Sequence, residues 1–275
     1  MKKEVILITG ASSGIGYESA IALKNKGYIV YGAARRMDKL ASLKKQGVNI
    51  ISLDVTNEES MVNCVKAISE KEGGIDILVN NAGYGSYGAI EDVEIKEAKM
   101  QVEVNLFGLA RMTQLVLPYM RSQNKGKIIN ISSTGGKIHT PFGGWYHATK
   151  FALEGFSDCL RMEVKPFNIE IVIIEPGGIK TNWGIIASEN LIKTSGHGAY
   201  KESANKVASY FKKLYSSKNS LSNPSIVSYT IVKAVEKKNP KTRYLIGSNA
   251  KLLFVLKRVL SDRTYDKLVL NFMSK

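Results

Sequence analysis

The segment Thr9–Tyr17, reading TGASSGIGY, lies between the apolar run Val5–Ile8 and the helix-like stretch ESAIALKNKG, and it constrains the fold more than any other part of the chain. A strand that passes through glycines straight into a helix turns free backbone N–H groups and the positive end of the helix dipole toward one spot. That spot suits a pyrophosphate. Gly10 permits the tight turn, Gly14 lets the backbone approach phosphates with no Cβ between, and Gly16 lets the helix pack on the strand. Ser12, Ser13 and Ile15 complete this candidate dinucleotide cradle. Glycine turns of the GxxxGxG spacing also serve as plain packing features, so the rest of the chain decides between the two readings.

Short apolar runs rich in Val and Ile alternate with longer stretches of helical periodicity. The runs are Val5–Thr9, Tyr28–Ala33, Val48–Leu53, Ile75–Asn80, Lys127–Ile131, Ile169–Glu175 and Arg243–Gly247. Runs this continuously apolar suit strands covered on both faces, and strands separated by helices pair in parallel. The expected class is α/β, a doubly wound seven-stranded parallel sheet in a three-layer αβα sandwich, with ligands at the carboxyl ends of the strands. With 275 residues, 44% hydrophobic, and no internal repeat, a single domain over 1–275 is expected.

Composition excludes several classes. The start, MKKEVILITG, carries only a short apolar run that leads into the glycine turn, and Leu252–Leu256 is far too short to cross a bilayer. A cytoplasmic location is therefore expected. Cys64 and Cys159 have no CxxC spacing and read as buried, reduced thiols; with His139, His147 and His197 lacking ligand spacing, no metal site is expected and His147 receives no catalytic role. Residues 191–275 hold 17 Lys+Arg against 4 Asp+Glu and carry most of the net charge of +15. Such a field draws acidic substrates, anionic lipid or nucleic acid, or is simply solvated. No helix-turn-helix, zinc or aromatic-basic motif accompanies it, so no specific nucleic-acid partner is expected.

The residues just after each strand carry the chemistry. After the second strand stand Arg35 and Arg36, about 20 residues past the glycine turn, where an acid would select NAD by binding the adenine ribose hydroxyls. Guanidinium groups there grip a 2′-phosphate, which favours NADP over NAD unless both arginines merely face solvent. Asp54 and Val55 follow the third strand, suited to the adenine amino group and ring. Asn81, Ala82 and Gly83, within NNAG, leave room beside the adenosine ribose. After the fifth strand comes Ser133, and 13 residues further on stands Tyr146, with Lys150 one helical turn beyond. A tyrosine near pKa 10 is a poor base at neutral pH, but a neighbouring ammonium and an oxidised nicotinamide both stabilise its phenolate.

In TGASSGIG, NNAG, Asn105 of NLFG, Ser133, YHATK and PGGIKT, taken in this order and spacing over roughly residues 4–182, the chain resembles the short-chain dehydrogenase/reductase family in its single-domain branch. The resemblance implies a Rossmann fold and a catalytic tetrad of Asn105, Ser133, Tyr146 and Lys150. Tyr146 would exchange a proton with the substrate oxygen as hydride moves to or from the nicotinamide. Ser133 would hold that oxygen, Lys150 would lower the tyrosine pKa and bind the nicotinamide ribose, and Asn105 would anchor a relay water. Pro176, Gly177, Ile179 and Thr181 would line the nicotinamide side. Relatives commonly form homodimers or homotetramers.

Past residue 182 the pattern fades. Residues 182–201, with Trp183, Ile185, Ile186, Leu191 and Ile192, read either as a lid over a hydrophobic carbonyl or alcohol or as cover for the sheet edge. The C-terminal part resembles a subgroup related to 17β-hydroxysteroid and retinol dehydrogenases. Within the basic extension 248–275, Leu252, Leu253, Leu256, Val259 and Leu260 form one apolar helix face, which fits packing on the protein itself, peripheral contact with an anionic membrane, or a partner subunit. Three functions stand: an NADP-dependent oxidoreductase of a ketone, aldehyde or matching alcohol; a nucleotide-sugar epimerase or dehydratase, which the turn spacing and length disfavour; and a catalytically silent NADP-sensing or interaction protein, which retention of all four tetrad positions disfavours.

Overall fold

A computed structural model of the chain describes residues 3–217 and 221–273. The extreme ends of the expected 1–275 domain, including the last two residues of the 248–275 extension, lie outside the described residues. The strands are β1 (Val5–Thr9), β2 (Ile29–Ala34), β3 (Asn49–Ser52), β4 (Ile77–Asn80), β5 (Gly126–Ile131), β6 (Ile169–Pro176) and β7 (Arg243–Ile246). They form one seven-stranded sheet in the order β3-β2-β1-β4-β5-β6-β7, parallel throughout. This is the Rossmann-type arrangement.

Side chains of a strand alternate between faces, and both faces here are apolar. Ile6, Ile8, Ile77, Val79, Ile129, Val172 and Ile174 enter one core layer, while Val5, Leu7, Leu78, Ile128, Ile169 and Ile171 enter the other. Helices α1 (Gly14–Asn25), α2 (Met37–Lys45), α3 (Glu58–Glu72), α4 (Ile95–Val102), α5 (Gly108–Ser122) and α6 (Gly144–Glu163) link the strands up to β6. Beyond β6 come α7 (Trp183–Ser195), α8 (Lys201–Ser216) and α9 (Ser225–Glu236). The first layer is closed by Ala20 and Leu23 of α1 with Val227 and Ile231 of α9, the second by Met61 and Val65 of α3 with Met112 and Val116 of α5.

Three expected strands are shorter than their apolar runs, β7 by only its last residue, Gly247. Val48 and Leu53 flank β3, and Ile75 precedes β4, as buried residues outside the ladder. Hydrophobicity there marks burial at a strand end, which periodicity does not distinguish from pairing. Cys64 is buried, but Cys159 is exposed on α6, so the expectation of two buried thiols is half wrong: a lone cysteine on the outer side of an amphipathic helix carries no burial signal.

After β7 the chain forms α10 (Ala250–Val259) and α11 (Asp262–Met273). These pack on a third cluster containing Tyr87, Tyr146, Leu191, Phe211 and Tyr265. The single apolar face expected on α10 divides in two. Leu253 and Leu260 lean on this cluster, whereas Leu252 and Val259 are exposed.

Candidate active site

The sheet order reverses beside β1, where the chain departs to β2 on one side and returns as β4 on the other. Ligand crevices open at the carboxyl ends of such neighbours. There Gly10 and Gly14 take left-handed φ values of 67° and 57°, which glycine adopts without strain. A Cβ on Gly10 would lie 2.8 Å from Ala82 Cα, and one on Gly16 would lie 2.5 Å from Asn81 Nδ2 and 2.7 Å from the Gly10 carbonyl. Ser13 is exposed and its hydroxyl does not cap α1, so the first-turn N–H groups of Gly14, Ile15 and Gly16 keep their donors open. Ser12 is half-buried beside them. A turn with no room for side chains and with uncapped donors fits a pyrophosphate.

The NNAG segment braces this turn. Asn81 donates from Nδ2 to the carbonyls of Thr9 (2.9 Å) and Gly10 (3.1 Å), and the N–H groups of Asn81 and Ala82 both donate to Thr9 Oγ1 at 3.0 Å. The amide of Asn81 is thus committed to the protein. Beneath it runs a buried chain, Asn80 Nδ2 to Asn130 Oδ1 (3.0 Å) and Asn130 Nδ2 to Ser157 Oγ (2.9 Å). Thr9 and Asn80 fall within the motifs read from the sequence but received no role there, and Asn130 and Ser157 were not singled out; a polar residue inside an apolar strand was the available signal for Asn130.

Around the crevice, Arg35 and Arg36 are exposed, Arg36 at the start of α2, and neither makes an ion pair among the described residues. The β2 end offers no carboxylate. Asp54 bonds within its own turn, Oδ1 accepting from Thr56 N (3.0 Å) and Thr56 Oγ1 (2.8 Å), while Val55 packs into the core against α5. Pro176 ends β6. Gly177 donates to the Ile246 carbonyl at 2.7 Å, Ile179 is buried, and Thr181 lies beside Gly14, its Cγ2 3.8 Å from where a Cβ would stand. The loop after β6 therefore closes on the glycine turn.

Tyr146 and Lys150 share the inner face of α6, 8% and 7% exposed. Burial pushes the Tyr146 phenol up to about 12, while a hydrogen bond from Ser133 pulls the other way. Burial pushes Lys150 down to about 8, with Glu154 one turn along opposing it. Lys150 donates to the Ile131 carbonyl at 2.9 Å. Ser133 Oγ also accepts from Gly135 N (3.0 Å).

Asn105 sits in a π-helical turn, Glu103–Phe107, wedged between α4 and α5. Such bulges cluster at functional sites. Its side chain donates to the Tyr84 carbonyl (2.9 Å) and Thr149 Oγ1 (3.1 Å) and accepts from Tyr84 N (3.0 Å). A Cβ on Gly83 would come within 3.1 Å of Asn105 Oδ1 and 3.8 Å of Lys150 Nζ, so the NNAG glycine, Asn105 and Lys150 meet at one point.

An aromatic wall faces Tyr146. Ring centroids lie 5.2 Å away for Trp183 and 6.1 Å for Tyr87, and Tyr87 in turn stacks edge-on against Trp183 (5.6 Å) and Phe211 (5.4 Å). His147, in contrast, is a clamp. Its Nε2 accepts from Thr140 N (3.1 Å) and its Nδ1 bonds the Gly135 carbonyl (2.9 Å), which fixes a neutral ring whose protonation burial disfavours.

Behind the site lies a charge network that sequence reasoning missed. Arg243 bonds Glu154 (3.0 Å) and Asp158 (2.7 Å) and lies 3.2 Å from Glu175, while Lys137 lies 3.0 Å from Glu154. Glu154 falls four residues after Lys150, and Glu175 immediately precedes Pro176. The network thus joins the lysine helix to the loop after β6.

Comparison with known proteins decides the family. The model of the family described as short chain dehydrogenase matches residues 4–190. The chain belongs to the short-chain dehydrogenase/reductase family. Among its relatives is a 3-ketodihydrosphingosine reductase of Bacteroides thetaiotaomicron, 38% identical over 254 residues that cover 92% of this chain and 91% of that one. The crystal structure of a short-chain dehydrogenase from Streptomyces avermitilis superposes with a TM-score of 0.81 at 33% identity, over 92% of this chain and 91% of that one. A serine dehydrogenase solved with NADP+ reaches a TM-score of 0.75 at 26% identity, over 88% and 94% of the two chains.

As a short-chain dehydrogenase/reductase, the protein is an oxidoreductase acting on CH–OH donors, with NAD(P) as the acceptor. The family match ends at residue 190, within α7. The aromatic wall therefore draws on both parts of the chain, Tyr87, Tyr146 and Trp183 from inside the matched span and Phe211 from beyond it. Among the described residues no group of three His, Cys, Asp or Glu could hold a metal ion, and no helix is long and apolar enough to cross a membrane.

Proposed function

We propose that the protein is an NADPH-dependent carbonyl reductase for a hydrophobic ketone or aldehyde, with Tyr146 as the general acid. The observation that carries this reading is the Tyr146 phenol, buried against Trp183 and Tyr87 and hydrogen-bonded by Ser133 at the carboxyl end of β5. The open N–H groups of Gly14, Ile15 and Gly16 would hold the pyrophosphate. Arg35 and Arg36 would hold the 2′-phosphate, and Lys150, beside Gly83, would bind the nicotinamide ribose. When bound, the dinucleotide supplies the hydride. Ser133 orients the substrate oxygen, and Tyr146 delivers a proton to it as the oxygen gains electron density.

Asn105 then acts chiefly as a brace. With its side chain spent on Tyr84 and Thr149, a relay water there would be held by main-chain atoms. NADP is supported by the absence of a carboxylate at the β2 end and by the named ligand of the serine dehydrogenase neighbour. A keto substrate is in keeping with the name of the 3-ketodihydrosphingosine reductase. Exposed Met100, Phe107 and Phe151, on or beside α4, α5 and α6, support assembly as a homodimer or homotetramer.

The test offers a panel of apolar ketones and aldehydes with NADPH or NADH and follows absorbance. NADPH is expected to give at least tenfold higher kcat/KM, and reduction should hold level from about pH 6 to about pH 9 while alcohol oxidation rises with pH. Equal use of NADH would overturn the arginine reading. Turnover surviving in Tyr146→Phe would exclude the proposed acid.

A further inference from the structure

The C-terminal helices present outward faces that neither the fold nor the reaction accounts for. On α10, Leu252, Val255 and Val259 recur at helical spacing on one face and are 57%, 52% and 68% exposed. The opposite side of the same helix carries Leu253, packed inward on the cluster that includes Tyr146 and Tyr265. Exposed Leu268, Leu270 and Phe272 follow on α11, whose inward residues are Tyr265, Val269 and Met273.

Charge around these residues is one-sided. Of the two acids of the hairpin, Asp262 pairs with Lys257 at 2.5 Å and Asp266 makes a hydrogen bond with the His139 ring at 2.9 Å. Lys251, Arg258, Arg263 and Lys267 make no ion pair among the described residues, and they stand in the stretch that holds 17 Lys+Arg against 4 Asp+Glu. Apolar side chains facing water beside unpaired cations complement one surface in both respects: acyl chains beneath anionic headgroups. A polynucleotide would satisfy the cations but leave the apolar stripe in water. A second copy laid on this face would bring cations against cations. At ten and twelve residues, the helices are far too short to span a bilayer.

We infer that α10 and α11 form a docking face for an anionic lipid bilayer, on which the apolar stripe of α10 enters the headgroup boundary and the flanking Lys and Arg side chains meet lipid phosphates. The binding is peripheral and salt-sensitive. Because the inward faces of both helices join the cluster that holds Tyr146, the docked surface and the substrate wall are two sides of one layer. The inference does not rest on the carbonyl-reductase reading.

The test is co-sedimentation of the full chain with vesicles of phosphatidylcholine alone and of an equimolar mixture with phosphatidylglycerol. Pelleting is expected only with the mixed vesicles at low ionic strength, and is expected to disappear in high salt. Charge reversal by Lys251→Glu with Arg258→Glu should weaken partitioning at least about fivefold for each charge. Val255→Asp with Val259→Asp should abolish it. Both double variants should retain cofactor binding in solution, which reports that they fold.

Failure of wild type to pellet with mixed vesicles, or equal pelleting with neutral ones, overturns the inference. So does undiminished binding by the Val255/Val259 variant, which would reveal charge attraction alone, of the kind any polyanion including nucleic acid would exert. Sedimentation velocity adds a further arm: if that variant dissociates an oligomer while wild type ignores vesicles, the face is a subunit interface and the inference falls.

Discussion

In the cradle between β1 and β4, the exposed donors are backbone N–H groups at the start of α1, and side chains such as Thr9 and Asn81 serve to hold that backbone in place. In the wall facing Tyr146, the contacting groups are side chains themselves: Tyr87, Trp183 and Phe211, from three separate segments of the chain. A backbone site depends on conformations and clearances that few residues allow, so it tolerates little variation. A side-chain wall depends only on area and shape, and it can be rebuilt without disturbing the sheet. The difference teaches where variation is open: the glycine turn is tied to the fold, whereas the side chains of the wall are not.

Tyr146, against the wall, carries the proton in the proposed reaction, so its loss should have the largest effect. Replacing it with Phe keeps the ring on Trp183 and removes the proton. Steady-state kinetics should show kcat for reduction falling by ~10³, while NADPH affinity by fluorescence titration stays within about threefold. A loss of affinity comparable to the loss of kcat would show that the phenol supports the cradle rather than the chemistry.

Next in size is the test of the cradle's specificity. Arg35→Ser with Arg36→Ser removes the exposed guanidinium groups at the β2 end, and charge-assisted hydrogen bonds of this kind contribute about 1.5–3 kcal/mol each. NADPH should bind at least about tenfold more weakly, with NADH affinity nearly unchanged. Equal weakening of both cofactors would mean that the arginines shape the loop instead of reading the phosphate.

The contrast between the two regions also explains what was legible in the sequence. Glycines at 10 and 16 are required by approaches of 2.8 and 2.5 Å, and such requirements leave few residue choices, so the turn and the sheet read directly from the chain. Tyr146, Lys150 and Ser133 were singled out through their motifs and the family resemblance, and the structure brings Tyr146 and Lys150 to one buried face of α6. Phe211 carries no such mark: an aromatic residue on an amphipathic helix looks the same whether it faces a core or a substrate. The network of Lys137, Glu154, Glu175 and Arg243 was hidden for another reason. Its members are far apart in sequence, and only the pairing of β6 with β7 brings Arg243 to Glu175.

A smaller effect should sharpen the wall. Trp183→Ala removes the ring 5.2 Å from Tyr146 and an edge contact with Tyr87, and aromatic pairs contribute about 0.5–1.5 kcal/mol beyond their buried area. KM for an apolar ketone should rise up to about tenfold with NADPH affinity unaltered. An unchanged KM would assign the wall to structure alone.

The smallest effect falls on the seam between the regions, where Glu175 joins β6 to the loop that closes on Gly14. Burial and the neighbouring Glu154 carboxylate push Glu175 up to about 7, whereas the Arg243 guanidinium holds Asp158 down to about 2. The folded chain keeps the Glu175 proton at pH values where the unfolded chain, with an ordinary value of 4.5, has released it. Its contribution to stability is therefore full below that value and is lost as pH rises through about 7. Asp158 runs the opposite way: its contribution is present above its ordinary 3.8 and is lost as pH falls through about 2. Urea unfolding between about pH 5 and pH 8 should thus show Glu175→Gln gaining ~1–2 kcal/mol relative to wild type across the range, with Asp158→Asn running parallel to wild type. Parallel curves for Glu175→Gln would mean that Lys137 and Arg243 already keep this carboxylate charged, and that the seam is held by an ordinary ion pair rather than by a shared proton.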